Sequence, residues 1–172
     1  QMCIRDSTYP LTLGGVDQAS AHGLFPLDRD YSTLIRAEFG ISSRNNPRFL
    51  VSDRRTEAAI GFQKNIWKTR LNFDIGWTDV QFGEVGDRLG SVGAGWTVDF
   101  RKQEVLPRNA FYAEIGWRRS NILDGGGHFN QFSADIRGYK SLGRLVLAAQ
   151  VAYLGADRML PDYQKPFLGG AG

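Results

Sequence analysis

The sequence has a single cysteine, few prolines and no long apolar run, and each shortage excludes a class of protein. Cys3 cannot form an internal disulfide and has no neighbouring metal ligand. Six prolines and 21 glycines occur without a Gly-X-Y period, which excludes a collagen-like fibre. No charge-free run approaches the ~20 residues of a membrane-spanning helix, and the mean hydropathy is −0.32. The net charge of +3 is small and evenly spread, so we expect no nucleic-acid partner.

What is present indicates an ordered protein. Hydrophobic residues make up 42% of the chain and charged residues 23%, which is not a disordered composition.

Residues 1–7 (QMCIRDS) are typical of translated sequencing adapter, and an ordinary disordered tail is the alternative. We therefore predict a non-native leader at 1–7, and we assign residues 8–172 to one domain or to a fragment of a larger one.

From residue 33 onward, apolar and polar residues alternate with the period of a β-strand. In the segment 70–78, for example, Leu71, Phe73, Ile75 and Trp77 alternate with polar residues and glycine. Seven segments show this pattern: 33–42, 57–66, 70–78, 91–101, 111–118, 131–138 and 145–153. An eighth strand is predicted at 8–13, although Pro10 weakens it. The pattern predicts an all-β, antiparallel fold of about seven or eight strands.

The lengths of the strands and of their connections favour an outer-membrane β-barrel. The segments exceed the ~5 to 6 residues of soluble strands and approach the ~9 to 11 of tilted membrane strands. Long loops are predicted at 43–56, 79–90 and 119–129, and shorter ones at 67–69, 102–110 and 140–144. Because such barrels have long loops outside and short periplasmic turns, this alternation assigns the two sides. Trp77 and Trp117 then lie at the outer ends of strands, as interface aromatics do.

Alternation alone does not decide which face meets water. A soluble, lipocalin-like barrel would point its apolar side chains inward and its charged ones outward. The strand lengths, the tryptophan positions and a polar face rich in glycine and in opposite charges favour a membrane barrel instead. Arg36 with Glu38, and Asp135 with Arg137, are such opposite charges.

No motif indicates catalysis, so we predict no enzyme, no cofactor and no metal site. The strand carboxylates are expected to form ion pairs inside a barrel: Glu38, Asp74, Asp99, Glu114 and Asp135. His22 and His128 have no second ligand at a suitable spacing. The glycine run at 124–127 lacks the Lys-Ser/Thr of a phosphate loop, and no Gly-x-Ser-x-Gly elbow occurs.

Two motifs in the C-terminal half resemble a known family. The first is Asp99-Phe100-Arg101 at a strand end, then Leu106-Pro107-Arg108, then a strand beginning at Phe111. The second is a strand ending at Gly155, then Met159-Leu160-Pro161, then Phe167-Leu168-Gly169-Gly170. Over residues 91–172 this resembles the outer-membrane assembly-factor superfamily (BamA and TamA), also called the bacterial surface antigen family. The family's turn has Gly where Asn109-Ala110 stands here, and Asp is common where Lys102 stands.

The resemblance implies an interior part of a larger transmembrane barrel in the bacterial outer membrane. The family's sixth extracellular loop, with its Arg-Gly-aromatic motif, would follow Gly172. The expected function is the assembly, insertion or translocation of outer-membrane proteins, with membrane lipids and client proteins as partners. The implied positions are the turn residues Asp99, Arg101 and Pro107 and the loop approach Leu160, Pro161, Phe167, Gly169 and Gly170. A passive pore or adhesin, the barrel of a lipolytic fusion protein, and a soluble lipocalin-like binder remain as alternatives.

Overall fold

The computed structural model describes residues 7–8, 11–12, 16–46, 49–101, 108–143 and 145–165. Over these residues the fold is all-β and antiparallel, as predicted. The strands are β1 (Ser7–Thr8), β2 (Leu11–Thr12), β3 (Val16–Pro26), β4 (Thr33–Asn46), β5 (Val51–Ile66), β6 (Thr69–Phe82), β7 (Val85–Asp99), β8 (Ala110–Ile122), β9 (Gly127–Leu142) and β10 (Leu145–Ala156). The one helical element in this part of the chain is a 3₁₀ turn, η1 (Asp162–Gln164).

All strands belong to one sheet in which β3 to β10 each pair with their neighbours in the sequence. The two-residue strands β1 and β2 both pair with β3. The sheet is not closed, because β10 pairs only with β9 among the described residues. No helix in the described ranges has the length and hydropathy that crossing a bilayer requires.

The seven predicted strands all exist, and most are longer than predicted. The eighth long strand is β3 (Val16–Pro26), which the sequence pattern missed. The predicted strand at 8–13 is confirmed in part: Thr8 belongs to β1 and Leu11–Thr12 form β2, and both pair with β3 in the same register. Residues 9, 10 and 13 lie outside the described residues. Of the predicted leader, Ser7 belongs to β1, and residues 1–6 lie outside the described residues.

The predicted alternation of long and short loops was also wrong. The long loops are mostly strand, so the connections at that end of the sheet are only 47–50, 83–84 and 123–126. We call this the upper end. At the lower end the connections are 27–32, 67–68, 100–109 and 143–144. Because the fully described connection 27–32 at the lower end is longer than each connection at the upper end, loop length does not assign the sides of the sheet.

The sheet has a convex and a concave face. The convex face carries the row of paired residues Ile35, Phe62, Phe73 and Ala94. The concave face carries the next row, which contains Arg36, Gly61, Asp74, Gly93 and Arg118. The curvature is seen from a cleft of about 370 Å³ on this side, which is lined by residues of six successive strands, β3 to β8. The main apolar core lies on the concave face at the upper end.

Candidate functional site

A band of exposed apolar side chains covers the middle and lower parts of the convex face. Phe73 is 56% exposed, Ile75 63% and Val151 67%. Other exposed members are Phe39, Ile41, Ile60, Phe62, Val92, Trp96, Phe111, Ile115, Phe132, Ile136 and Leu147. A continuous apolar surface of this kind marks contact with another protein or with a membrane. We call it the apolar band.

The upper boundary of the apolar band runs obliquely across the sheet. On the convex face of β10 the last apolar residue is Tyr153, and the last on β4 is Ile41. Following the pairing partners of Tyr153 from strand to strand leads straight across the sheet, and after six steps it reaches Thr33 on β4. The partners in between are Ala134, Ile115, Trp96, Leu71 and Lys64. Ile41 lies eight residues further along β4.

This offset gives the angle between the strands and the normal to the apolar band, which corresponds to the axis of a barrel. Eight residues correspond to about 26 Å along the strands and six steps to about 29 Å across them, so the angle is about 42°. Strands in closed barrels tilt by roughly 35–45° from the barrel axis. The apolar band is therefore level if the strands are tilted as in a barrel.

Trp77 and Trp117 both lie at this upper boundary. Each is the last apolar residue on the convex face of its strand, followed two positions later by Asp79 and Arg119 respectively. Trp77 is 39% exposed and Trp117 is 37% exposed. The two predicted interface aromatics therefore occupy corresponding positions on β6 and β8.

The concave face holds alternating charges and glycines. In one row Arg36, Gly61, Asp74, Gly93 and Arg118 follow one another across β4 to β8. Arg118 Nη2 donates to Asp74 Oδ2 at 3.2 Å, across β7. This contact needs glycine at 93, because a Cβ there would lie 2.6 Å from Asp74 Oδ1.

The predicted turn residues Asp99 and Arg101 meet at the lower end. The Arg101 guanidinium donates to both carboxylate oxygens of Asp99, at 3.0 and 2.8 Å. It also lies over the Tyr112 ring, 4.4 Å from the centroid, and Arg137 lies 5.4 Å from the same centroid. Asp99 and Arg101 thus fix the end of β7 against β8. The predicted Pro107 lies outside the described residues.

At the upper end the polarity of the two faces is reversed. On β6, Asp79 and Gln81 occupy the convex face, while Val80 and Phe82 are buried on the concave face. The concave cluster consists of Val80, Phe82, Leu89, Phe129 and Tyr163, with Phe49, Val51, Ile122 and Leu160 packed against it. Sequence reasoning missed this core because it had assigned these positions to loops.

The segment that follows β10, residues 157–165, covers this cluster from the concave side. Asp157 begins it by accepting hydrogen bonds from the backbone and side-chain nitrogens of Asn130, at 2.8 and 2.6 Å. The predicted residue Leu160 packs on the cluster, and Pro161 is the N-cap of η1. The remaining predicted loop residues, Phe167, Gly169 and Gly170, lie outside the described residues.

Tyr163 anchors this segment to the sheet. Its side chain is 6% exposed, and its hydroxyl donates to Asp87 Oδ2 at 2.7 Å. Burial raises the pKa of Tyr163 above its ordinary value, and the bond to Asp87 adds to this shift. The Tyr163 carbonyl accepts a hydrogen bond from Arg55 Nη2 at 2.7 Å. The segment therefore contacts β5, β7 and β9 on the concave face.

Asp53 holds Arg55 in place for this contact. Its side chain is fully buried and accepts from Arg55 at 2.8 and 3.0 Å. Arg44 donates to Asp53 Oδ2 at 3.1 and 3.0 Å from Nε and Nη2. A buried carboxylate between two guanidiniums is costly to leave unpaired, so this group fixes the register of β4 and β5. The charges in 43–56 are the only feature of the sequence that points to this group.

Among the described residues, four of the five strand carboxylates form ion pairs, as predicted, and Glu114 does not. Glu38 binds Arg36, Asp74 binds Arg118, Asp99 binds Arg101, Asp135 binds Arg137, and Glu114 accepts from the Tyr112 hydroxyl. His22 lies 4.0 Å from Glu38. No group of three or more metal-ligating side chains occurs within the described ranges. The concave face is thus suited to water and ions.

No protein-family profile matches the chain. No curated protein matches it either.

Proposed function

We propose that the chain forms part of the wall of a bacterial outer-membrane β-barrel, with the apolar band in lipid and the concave face toward the lumen. The single observation that carries this proposal is the exposed apolar band, which is bounded by Trp77 and Trp117 and whose normal lies about 42° from the strands. A membrane barrel presents such a band to the hydrocarbon region, between aromatic girdles. The lipocalin-like alternative requires these side chains on the concave face instead.

The edges of the sheet support a larger barrel. In lipid, each unpaired backbone group costs several kcal/mol. β10 spans 12 residues and is unpaired on one side among the described residues. The proposed barrel therefore contains further strands that pair with β10 and continue the sheet beyond β3.

For the biological role we propose the assembly, insertion or translocation of outer-membrane proteins. The support is the resemblance of the motifs at Asp99, Arg101, Leu160 and Pro161, together with the segment 157–165 on the concave face. A segment packed inside the wall narrows a lumen, which suits a protein that handles client strands better than an open pore. Clients would be recognised by strand pairing, which uses backbone hydrogen bonds.

The membrane placement is tested by a nitroxide scan along β8. In a Cys3→Ser background, single cysteines at positions 111 to 118 are spin-labelled after reconstitution into phospholipid vesicles. Collisions with oxygen report lipid, and collisions with a water-soluble nickel chelate report water. We expect oxygen accessibility to peak at 111, 113, 115 and 117 and nickel accessibility at 112, 114, 116 and 118. The opposite phase would exclude the membrane placement.

The assembly role is tested by client folding. Vesicles that contain the complete barrel of which this chain forms part are mixed with a urea-unfolded eight-stranded barrel protein, and the appearance of its heat-resistant folded form is followed by gel shift. We expect faster folding than with empty vesicles. Steady ion conductance across planar bilayers without any effect on client folding would favour the passive pore.

A further inference from the structure

A cleft of about 400 Å³ opens on the convex face at the upper boundary of the apolar band, between β3 and β6. Two neighbouring rows of paired residues line it. The lower row is Ala19, Ile41, Thr56 and Asp79, and the upper row is Asp17, Ser43 and Arg54. The cleft therefore joins an apolar floor to a polar rim at the depth of Trp77.

The rim carries one positive charge, at Arg54, and two negative charges, at Asp17 and Asp79. Arg54 is exposed and makes no hydrogen bond or ion pair with any residue that the structure describes. The flanking arginine, Arg55, points to the opposite face and binds Asp53. Asp79 is exposed two residues beyond Trp77 on the same face. The hydroxyls of Ser43 and Thr56 lie in the same two rows.

We propose that this cleft binds the headgroup of a zwitterionic phospholipid that carries a primary ammonium group. Arg54 and the two hydroxyls would bind the phosphodiester, and Asp79 would accept a hydrogen bond from the ammonium, with the acyl chains along Ile41. A purely anionic headgroup carries the same phosphodiester but has no ammonium to offset the charge of Asp79. A trimethylammonium headgroup has no N–H to donate. This inference rests on the proposed function, because it requires the convex face to lie in a bilayer.

The test uses Trp77 as a reporter in the full chain with Trp67, Trp96 and Trp117 replaced by phenylalanine. The protein is reconstituted into phosphatidylcholine vesicles that contain equal mole fractions of lipids with brominated acyl chains, which quench tryptophan on contact. Phosphatidylethanolamine, phosphatidylcholine and phosphatidylglycerol are compared. We expect phosphatidylethanolamine to bind about threefold more strongly than the other two, the gain that one exposed ion pair provides.

Variants assign the preference to the cleft. Asp79→Asn should abolish the preference for phosphatidylethanolamine, and Arg54→Gln should weaken quenching by all three lipids, because each of them carries the phosphodiester. The matched control Arg119→Gln removes the same charge beside Trp117 and should leave the preference unchanged. Circular dichroism checks that each variant retains its sheet.

The possible outcomes separate the site from the fold. Equal quenching by all three lipids in the parent, a preference that survives Asp79→Asn, or quenching that Arg54→Gln leaves unchanged overturns the site. Strongest quenching by phosphatidylglycerol also overturns it, since a simple anion site would then be present. If no brominated lipid quenches Trp77, the convex face does not lie in the bilayer, and the proposed function fails together with the site.

Discussion

The lower and upper parts of the sheet hide opposite faces, although the same strands run through both. On β6, Phe73 and Ile75 are exposed on the convex face, whereas Val80 and Phe82 are buried on the concave face. The change of phase occurs between Trp77 and Val80, without a bulge in the pairing of β6 with β7. The lesson is that the surroundings at each height decide which face is apolar. In the proposed placement these are lipid below the boundary and the segment 157–165 above it.

The largest expected effect comes from the buried upper cluster. Phe82→Ala should lower the free energy of unfolding by about 3–5 kcal/mol, because a large side chain leaves a cavity among well-packed neighbours. Phe73→Ala, the same change on the exposed face of the same strand, should cost clearly less. Urea titrations of both variants in vesicles measure the difference. Equal losses would show that the two regions do not differ in packing.

A charge in the apolar band should have the next largest effect. Phe73→Arg should cost about 2–4 kcal/mol, because Phe73 lies four residues below Trp77, or about 10 Å deeper in the bilayer, whereas Gln81→Arg should cost about 0–1 kcal/mol above the boundary. Both positions lie on the convex face of β6. Unfolding titrations in vesicles compare them. Equal tolerance of arginine at both positions would contradict the boundary at Trp77.

The glycine row offers a smaller effect on the concave face. Gly93→Ala should cost about 1 kcal/mol, because the new Cβ pushes the Asp74 carboxylate away from its partly exposed ion pair with Arg118. Gly138→Ala is the control, since a Cβ there meets nothing within 4 Å. Thermal unfolding of the two variants measures the difference. A neutral Gly93→Ala would mean that the pair across β7 is dispensable.

An effect of similar size concerns the anchor of the segment 157–165. Tyr163→Phe keeps the ring in the cluster and removes the hydrogen bond to Asp87, so the cost should be about 1 kcal/mol. Limited proteolysis should cut the segment faster in this variant. Tyr153→Phe, on the exposed edge strand, is the control. Unchanged cleavage would place the anchoring in the apolar contacts alone.

The sequence predicted the all-β, antiparallel class because the alternation in the lower part of the sheet is nearly free of exceptions. It failed at 79–90 for a physical reason. In this segment the convex face of β6 carries the polar residues Asp79 and Gln81, and the concave face carries the apolar residues Val80 and Phe82. This reverses the alternation of the preceding residues, and in the sequence such a reversal resembles the end of a strand. The two-residue turn at 83–84, with Gly83 at φ +59°, was hidden in the same way.

The candidate site was predictable only where partners are close in sequence. Asp99 with Arg101 lie two residues apart on one strand, so their pairing follows from alternation. Asp74 with Arg118 meet only through the register of three strands, and a shift of one residue would place them on opposite faces. The contacts of Tyr163 with Arg55 and Asp87 depend on how the chain returns over the sheet after β10. No local pattern encodes that path.

Because β3 to β10 are ordered in space as in the sequence, nearly every strand contact joins the two arms of one hairpin. The loops to be closed are short, and turns such as 67–68 and 83–84 contain only two residues. Loop-closure entropy is therefore low at every step, and the contact order of the sheet is modest for a β protein. A chain built in this way can grow by docking one hairpin after another onto an existing edge. Folding could then begin in any part of the sheet and spread in both directions.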